Sequence, residues 1–86
     1  MKEYEKATQT AMLILQRDPE NGSALIILGR ICERLLKYDE AIKHIEKATQ
    51  YEKHALDAYY RLGKIHEKID NKKRAIGLYK NCLNIQ

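Results

Sequence analysis

The sequence predicts an all-α fold of five helices, stacked as antiparallel hairpins in about two and a half repeats within one domain. Three observations carry this expectation. The chain resembles itself at an offset of 34 residues. Its apolar residues recur three or four apart, as they do on one face of a helix. Its single proline, Pro19, sits at a junction, so long stretches lack the residue that most disrupts helices.

The repeat appears when residues 22–52 are set against 56–86. Ala24 meets Ala58, Leu28-Gly29 meets Leu62-Gly63, Ile31 meets Ile65, Glu33 meets Glu67, and Ala41-Ile42 meets Ala75-Ile76. These are 7 identities in 31 pairs, where background composition would produce about 2. Arg30/Lys64, Arg34/Lys68 and Leu35/Ile69 are conservative pairs. Run backwards, the same offset places Tyr4-Glu5-Lys6-Ala7 on Tyr38-Asp39-Glu40-Ala41. Residues 1–21 thus read as the second helix of a truncated repeat plus a turn, 22–55 as a complete repeat, and 56–86 as a repeat ending at its second helix.

Each element has a local reason. Leu25, Leu28, Gly29, Cys32 and Leu35 share one face of a first helix. Ala41, Ile45, Ala48 and Tyr51 share one face of a second. Asp18-Pro19-Glu20-Asn21-Gly22 is a turn, and Asp70-Asn71 tolerates tight-turn conformations that most residues resist. Near Lys37 the break signal is weaker, because Leu36 holds the corner where a glycine would fit most easily. The expected helices are 2–16, 23–36, 38–52, 56–69 and 72–84. Small residues at Gly29, Ala41, Gly63 and Ala75 let the two helices of a hairpin approach closely, with Leu28 and Leu62 filling the adjacent grooves. A large side chain at Gly63 should force the hairpin apart at ~1–3 kcal/mol.

These residues resemble the tetratricopeptide repeat (TPR) family, whose pattern is aromatic-x2-Leu-Gly-x2-Tyr, then Ala-x3-aromatic, then Pro, over 34 residues. Tyr59-x2-Leu62-Gly63-x2-His66 and Ala75-x3-Tyr79 match it, as do Leu25-x2-Leu28-Gly29-x2-Cys32 with Ala41-x3-Ile45. Ala7-x3-Ala11 and Pro19 match in the half repeat. The departures are the absence of tryptophan, Cys32 and His66 at the tyrosine site, and Lys53 where a closing proline is usual. The resemblance implies a right-handed solenoid with a concave groove lined by the first helix of each repeat, holding a peptide or protein partner.

On this register the expected groove residues are Ile26, Arg30, Arg34, Tyr60, Arg61, Lys64 and Lys68. Ile26 and Tyr60 are either anchors for a partner or packing between neighbouring helices. The carboxylate clamp of chaperone-binding TPR domains is not expected, because Ile26 and Ile27 stand at polar clamp positions and Asp57 replaces a lysine. Ile27 and Arg61 likewise occupy the sites of the asparagine ladder found in sugar-transferase arrays.

Charge adds a second expectation. Residues 56–86 carry 7 basic and 3 acidic side chains, so the net +4 of the chain arises in its last third. Lys64, Lys68, Lys72, Lys73, Arg74 and Lys80, with Tyr59, Tyr60 and Tyr79 nearby, make an acidic partner or a single-stranded nucleic acid the alternative ligand.

No catalytic residue, metal site or cofactor is expected. His44, His54 and His66 show no ligand spacing with a cysteine. Cys32 and Cys82 lie on packed helix faces. Asp39-Glu40 opens a helix, where negative charge offsets exposed N–H groups. No stretch approaches the ~20 apolar residues of a membrane span, and the opening Met1-Lys2-Glu3-Tyr4-Glu5 is too charged for a signal peptide. A cytoplasmic setting is expected. Both ends keep apolar residues without a capping partner: Ala11, Met12, Leu13, Ile14 and Leu15 at one, Leu78, Tyr79, Cys82, Leu83 and Ile85 at the other. The expectation is a segment of a longer array that self-associates through an end.

Overall fold

The computed structural model describes residues 2–85, all five elements of which are α-helices: α1 (Lys2–Arg17), α2 (Gly22–Arg34), α3 (Tyr38–Ala48), α4 (Glu52–Lys68) and α5 (Lys72–Ile85). Each helix packs on its neighbours in sequence, and α2 also touches α4. The stack measures 34 × 26 × 15 Å.

The core follows the 34-residue register. Ala41, Ile45 and Ala48 of α3 are fully buried, as are Ala58, Leu62 and Ile65 of α4 and Leu78 of α5. They form one cluster with Leu25 and Ile26 of α2, while Ala11, Ala24 and Leu28 form a second between α1 and α2. Burying each large aliphatic side chain contributes ~1.5–3 kcal/mol. Gly29 faces Ile45, and Gly63 faces the ring of Tyr79. Ile45 and Tyr79 are one repeat apart, so both hairpins close at the same pair of positions. This is the close approach that the small residues predict.

The helix ends show which local signals acted. Asn21 caps α2, its side-chain oxygen accepting from the Ala24 N–H at 2.9 Å. Lys37, which precedes α3, makes no side-chain cap, and Asp39 and Glu40 in the first turn provide the negative charge instead. Helices α2 and α4 end alike. The Lys37 N–H donates to the Cys32 carbonyl at 2.8 Å and the Leu36 N–H to Glu33 at 3.0 Å. The Asn71 N–H donates to His66 at 2.7 Å and the Asp70 N–H to Glu67 at 3.1 Å. Both are Schellman motifs, and their corner residues, Leu36 at φ 63° and Asp70 at φ 62°, are left-handed.

The left-handed region costs a branched side chain ~1–2 kcal/mol, and Asp tolerates it better. Leu36 is 71% exposed, so its side chain contributes little packing in return. Leu36→Gly is therefore expected to raise stability by ~0.5–1 kcal/mol, read as a higher urea midpoint at unchanged m-value. Asp70→Gly should gain less.

Three boundaries differ from the periodicity by more than one residue. Helix α2 stops at Arg34 rather than at 36, because the Schellman corner begins there, and this leaves Leu35 half-exposed instead of on the packed face. Helix α3 stops at Ala48 and α4 begins at Glu52, four residues before the expected start. The hydroxyl of Thr49 donates back to the Glu46 carbonyl at 2.6 Å, competing with the backbone ladder. The added first turn of α4 has a packing reason. His54 lies against Gly22, at a separation that no side chain there would allow, and Ala55 is buried.

Candidate concave binding face

Arg30, Glu33 and Arg34 of α2 face Arg61 and Lys68 of α4 across a hollow of about 360 Å³ on the face where the two first helices lie side by side. Helical spacing sets this arrangement. Arg30 and Arg34 are one turn apart on α2, and Arg61 and Lys68 are two turns apart on α4. The Lys68 ammonium donates to Glu33 at 2.6 Å, a bridge across the hollow. That hydrogen bond raises the Lys68 pKa above its ordinary value. Arg61 donates to Asp57 at 3.1 Å along its own helix. Among the described residues Arg30 and Arg34 form no salt bridge. The hollow thus gathers four cations against one carboxylate, and that carboxylate is already engaged.

The structure separates the remaining expected groove residues from this hollow. Ile26 is only 6% exposed and belongs to the core cluster, so it is a packing residue and not a groove anchor. Helix α4 lies over it. Tyr60, its counterpart 34 residues on, is 47% exposed. The Tyr60 ring stands 6.0 Å from that of Tyr79, and the Lys64 ammonium lies 5.3 Å from its centroid. With Leu56, Asp57 and Cys82, Tyr60 lines a separate hollow of about 360 Å³ toward α5. Tyr60 and Lys64 therefore belong to the far end of the stack, away from the Arg30–Arg61 hollow.

A third hollow, of about 290 Å³, lies at the seam of α1 and α2. Tyr4, Ala7, Ile27 and Ile31 line it, and Arg30 and Arg34 form its border with the concave face. The sequence reading did not assign it. The signal available was the register, which puts Tyr4 and Ala7 where Tyr38 and Ala41 lie in a hairpin that α2 completes.

The tyrosines of the basic hairpin are committed to structure. Tyr79 donates to the Glu67 carboxylate, and burial followed by that carboxylate raises its pKa to about 12. Tyr59 packs against the core cluster. No described group of three or more His, Cys, Asp or Glu side chains could hold a metal ion. His66 is buried with its Nδ1 3.5 Å from the Asn71 amide, and burial, then the charge of Arg74, lowers its pKa. Burial raises the pKa of the Cys32 and Cys82 thiols. Of the end residues expected to lie uncovered, Met12, Leu13, Ile14 and Leu83 are exposed, whereas Ala11 and Leu78 are buried, Ala11 with Ala24 and Leu28 and Leu78 in the main core; the side chain of Ile85 lies outside the described residues. Among those residues no helix is long and apolar enough to cross a membrane.

Antiparallel hairpins repeated in register, with first helices side by side on one face, define a helical-repeat protein of the solenoid class. The tetratricopeptide repeat model matches residues 22–54 and 56–86, well over half of the chain. The chain belongs to the tetratricopeptide repeat family, whose repeats generally mediate protein–protein interaction. No curated protein matches it significantly. Among solved structures 37 chains do. One is the crystal structure of MamA, with a TM-score of 0.85 at 23% identity. That alignment covers 96% of this chain and 48% of the MamA chain, so this chain spans about half the length of that relative. At this identity the likeness bears on the fold alone.

Proposed function

We propose that the chain is a protein-binding module whose concave face takes an acidic segment of a partner, with carboxylates seated among Arg30, Arg34, Arg61 and Lys68. The observation that carries this reading is the convergence of four cations from two helices on one hollow, where the single carboxylate, Glu33, is already bridged. Three of the four are arginines, whose planar forks hold carboxylates in two-point contacts and suit recognition better than lysine does. The apolar hollow beyond Arg30 and Arg34 places a greasy subsite next to the charged one. An acidic segment with a neighbouring apolar side chain meets both. The carboxyl-terminal clamp of chaperone-binding relatives plays no part in this reading.

A peptide library displayed on phage and selected against the chain tests it. Enrichment of acidic peptides is expected, with binding that weakens as salt rises. The double variant Arg30→Glu/Arg61→Glu should weaken the selected peptides at least roughly tenfold. Both side chains lie at the surface, so the variant should fold. Enrichment without acidic residues, or affinity untouched by the charge reversal, would remove this reading and leave the fold assignment intact.

A further inference from the structure

A carboxylate of the chain itself lies in the hollow that gathers the four cations. Glu33 lines it together with Arg30, Arg34, Arg61 and Lys68. Its side chain is only 15% exposed, whereas that of Lys68 is 52% exposed. Packing therefore holds Glu33 against the wall of the hollow, and the lysine reaches across to it. Among the described residues the Lys68 ammonium is the hydrogen-bond donor to this carboxylate.

The second repeat satisfies the same position differently. Glu67 lies 34 residues after Glu33. Its carboxylate accepts from the hydroxyl of Tyr79, within its own hairpin. The counterpart of Tyr79 in the first hairpin is Ile45, which has no donor to offer. Glu33 thus draws its partner from the next repeat, and that partner is one of the four cations of the concave face.

A carboxylate held among these cations opposes the entry of a second one. It occupies Lys68 and repels an incoming anion, and across so small a hollow salt screens that repulsion only in part. An alternative partner for Glu33 is also at hand. Arg30 precedes it by three residues on α2, the spacing of a helical ion pair. Arg30 forms no salt bridge among the described residues.

We propose that Glu33 is a built-in competitor for the partner's carboxylate. In the free chain it holds Lys68. An incoming carboxylate takes Lys68, Glu33 turns to Arg30, and the cost of this exchange sets the affinity of the site. The proposal rests on the acidic-segment reading of the hollow and adds the residue that limits it.

A capped hexaglutamate peptide is the probe, titrated at low salt into the ¹⁵N-labelled chain. Glu33→Gln removes the charge and keeps an amide oxygen that can accept from Lys68, so the fold should persist, as circular dichroism would verify. This variant should bind the probe at least roughly threefold more tightly than the unchanged chain. Its affinity should also fall more steeply as salt rises. Glu20→Gln makes the same charge change just before α2, at the opposite end of that helix from Glu33, and should leave the affinity unchanged. Suppose the probe binds and Arg30→Glu/Arg61→Glu abolishes that binding. Equal or weaker affinity in Glu33→Gln would then overturn the competitor and leave the acidic-segment reading standing. An equal gain in Glu20→Gln would reduce the effect to net charge and overturn it too. If neither the unchanged chain nor Glu33→Gln binds the probe, the acidic-segment reading falls and the competitor falls with it.

Discussion

Ile45→Ala is expected to cost ~2–5 kcal/mol of folding stability, among the largest single-site losses in the chain. The Ile45 side chain is fully buried where α3 meets α2 and belongs to the cluster that α4 completes. Its surroundings cannot close over the space. Gly29 presents backbone to it, and Ala41, Ala48 and Ala58 have no longer side chains to swing inward. A small domain holds only ~5–15 kcal/mol in total, so the variant should lie near the edge of folding at 37 °C. Urea denaturation followed by circular dichroism measures the loss. A cost under ~1 kcal/mol would mean that the hairpin collapses onto the cavity, which the small neighbours argue against.

Gly29→Ala is the second large effect, with an expected cost of ~1–3 kcal/mol. A methyl group on Gly29 would overlap Cγ1 of Ile45 and come within 2.6 Å of its Cδ1. Ile45 is enclosed and cannot turn away, so either the side chain leaves its rotamer or α2 and α3 separate. The two substitutions are therefore coupled. In the Ile45→Ala background the added methyl enters the vacated space, and alanine is a better helix former than glycine by ~1 kcal/mol. The second substitution should then be neutral or stabilising, giving a double-mutant coupling of ~1–3 kcal/mol.

Two other glycines calibrate this result. At Gly63 the added methyl meets the ring of Tyr79, which is only half-buried and can give way, so Gly63→Ala should cost less than Gly29→Ala. At Gly77 it meets nothing, and Gly77→Ala should stabilise the chain by ~0.5–1 kcal/mol. Equal effects at the three positions would refute the close-approach explanation.

Much of the fold is legible in the residues because repetition multiplies weak signals. A single Leu-Gly pair means little, but Leu28-Gly29 and Leu62-Gly63 at one offset identify the contact face of both hairpins. The helical spacing then selects Ala41, Ile45 and Ala48 for the interior, whereas Leu78, expected at an uncovered end, is buried by the packing of α5 on α4. The Leu36 corner and the acidic start of α3 are local chemistry, and local chemistry can be read without knowing the neighbours. The four-residue extension of α4 is different. Glu52 to Ala55 holds no break or start signal, and this turn forms because His54 finds the backbone of Gly22, 32 positions earlier in the chain.

The concave face divides in the same way. Arg30, Arg34, Arg61 and Lys68 were recognisable from spacing as one charged face on each of two helices. Ile26 was not separable from its neighbour Ile27, because adjacent residues on a helix differ by only about 100°. The position of α4 decided that Ile26 is buried and Ile27 is 40% exposed. Nor could spacing within a helix pair Glu33 with Lys68 or set Tyr60 apart from the basic hollow.

The sequence by itself determined the repeat register, the number and kind of elements, and the small-residue positions at which the hairpins close. Each of these follows from periodicities and propensities within one repeat. Only the tertiary structure decided which apolar residues repeats cover in one another and where the cations converge. Those outcomes depend on the distance and angle between helices, quantities set by the packing of many side chains at once and written in no single segment of the chain.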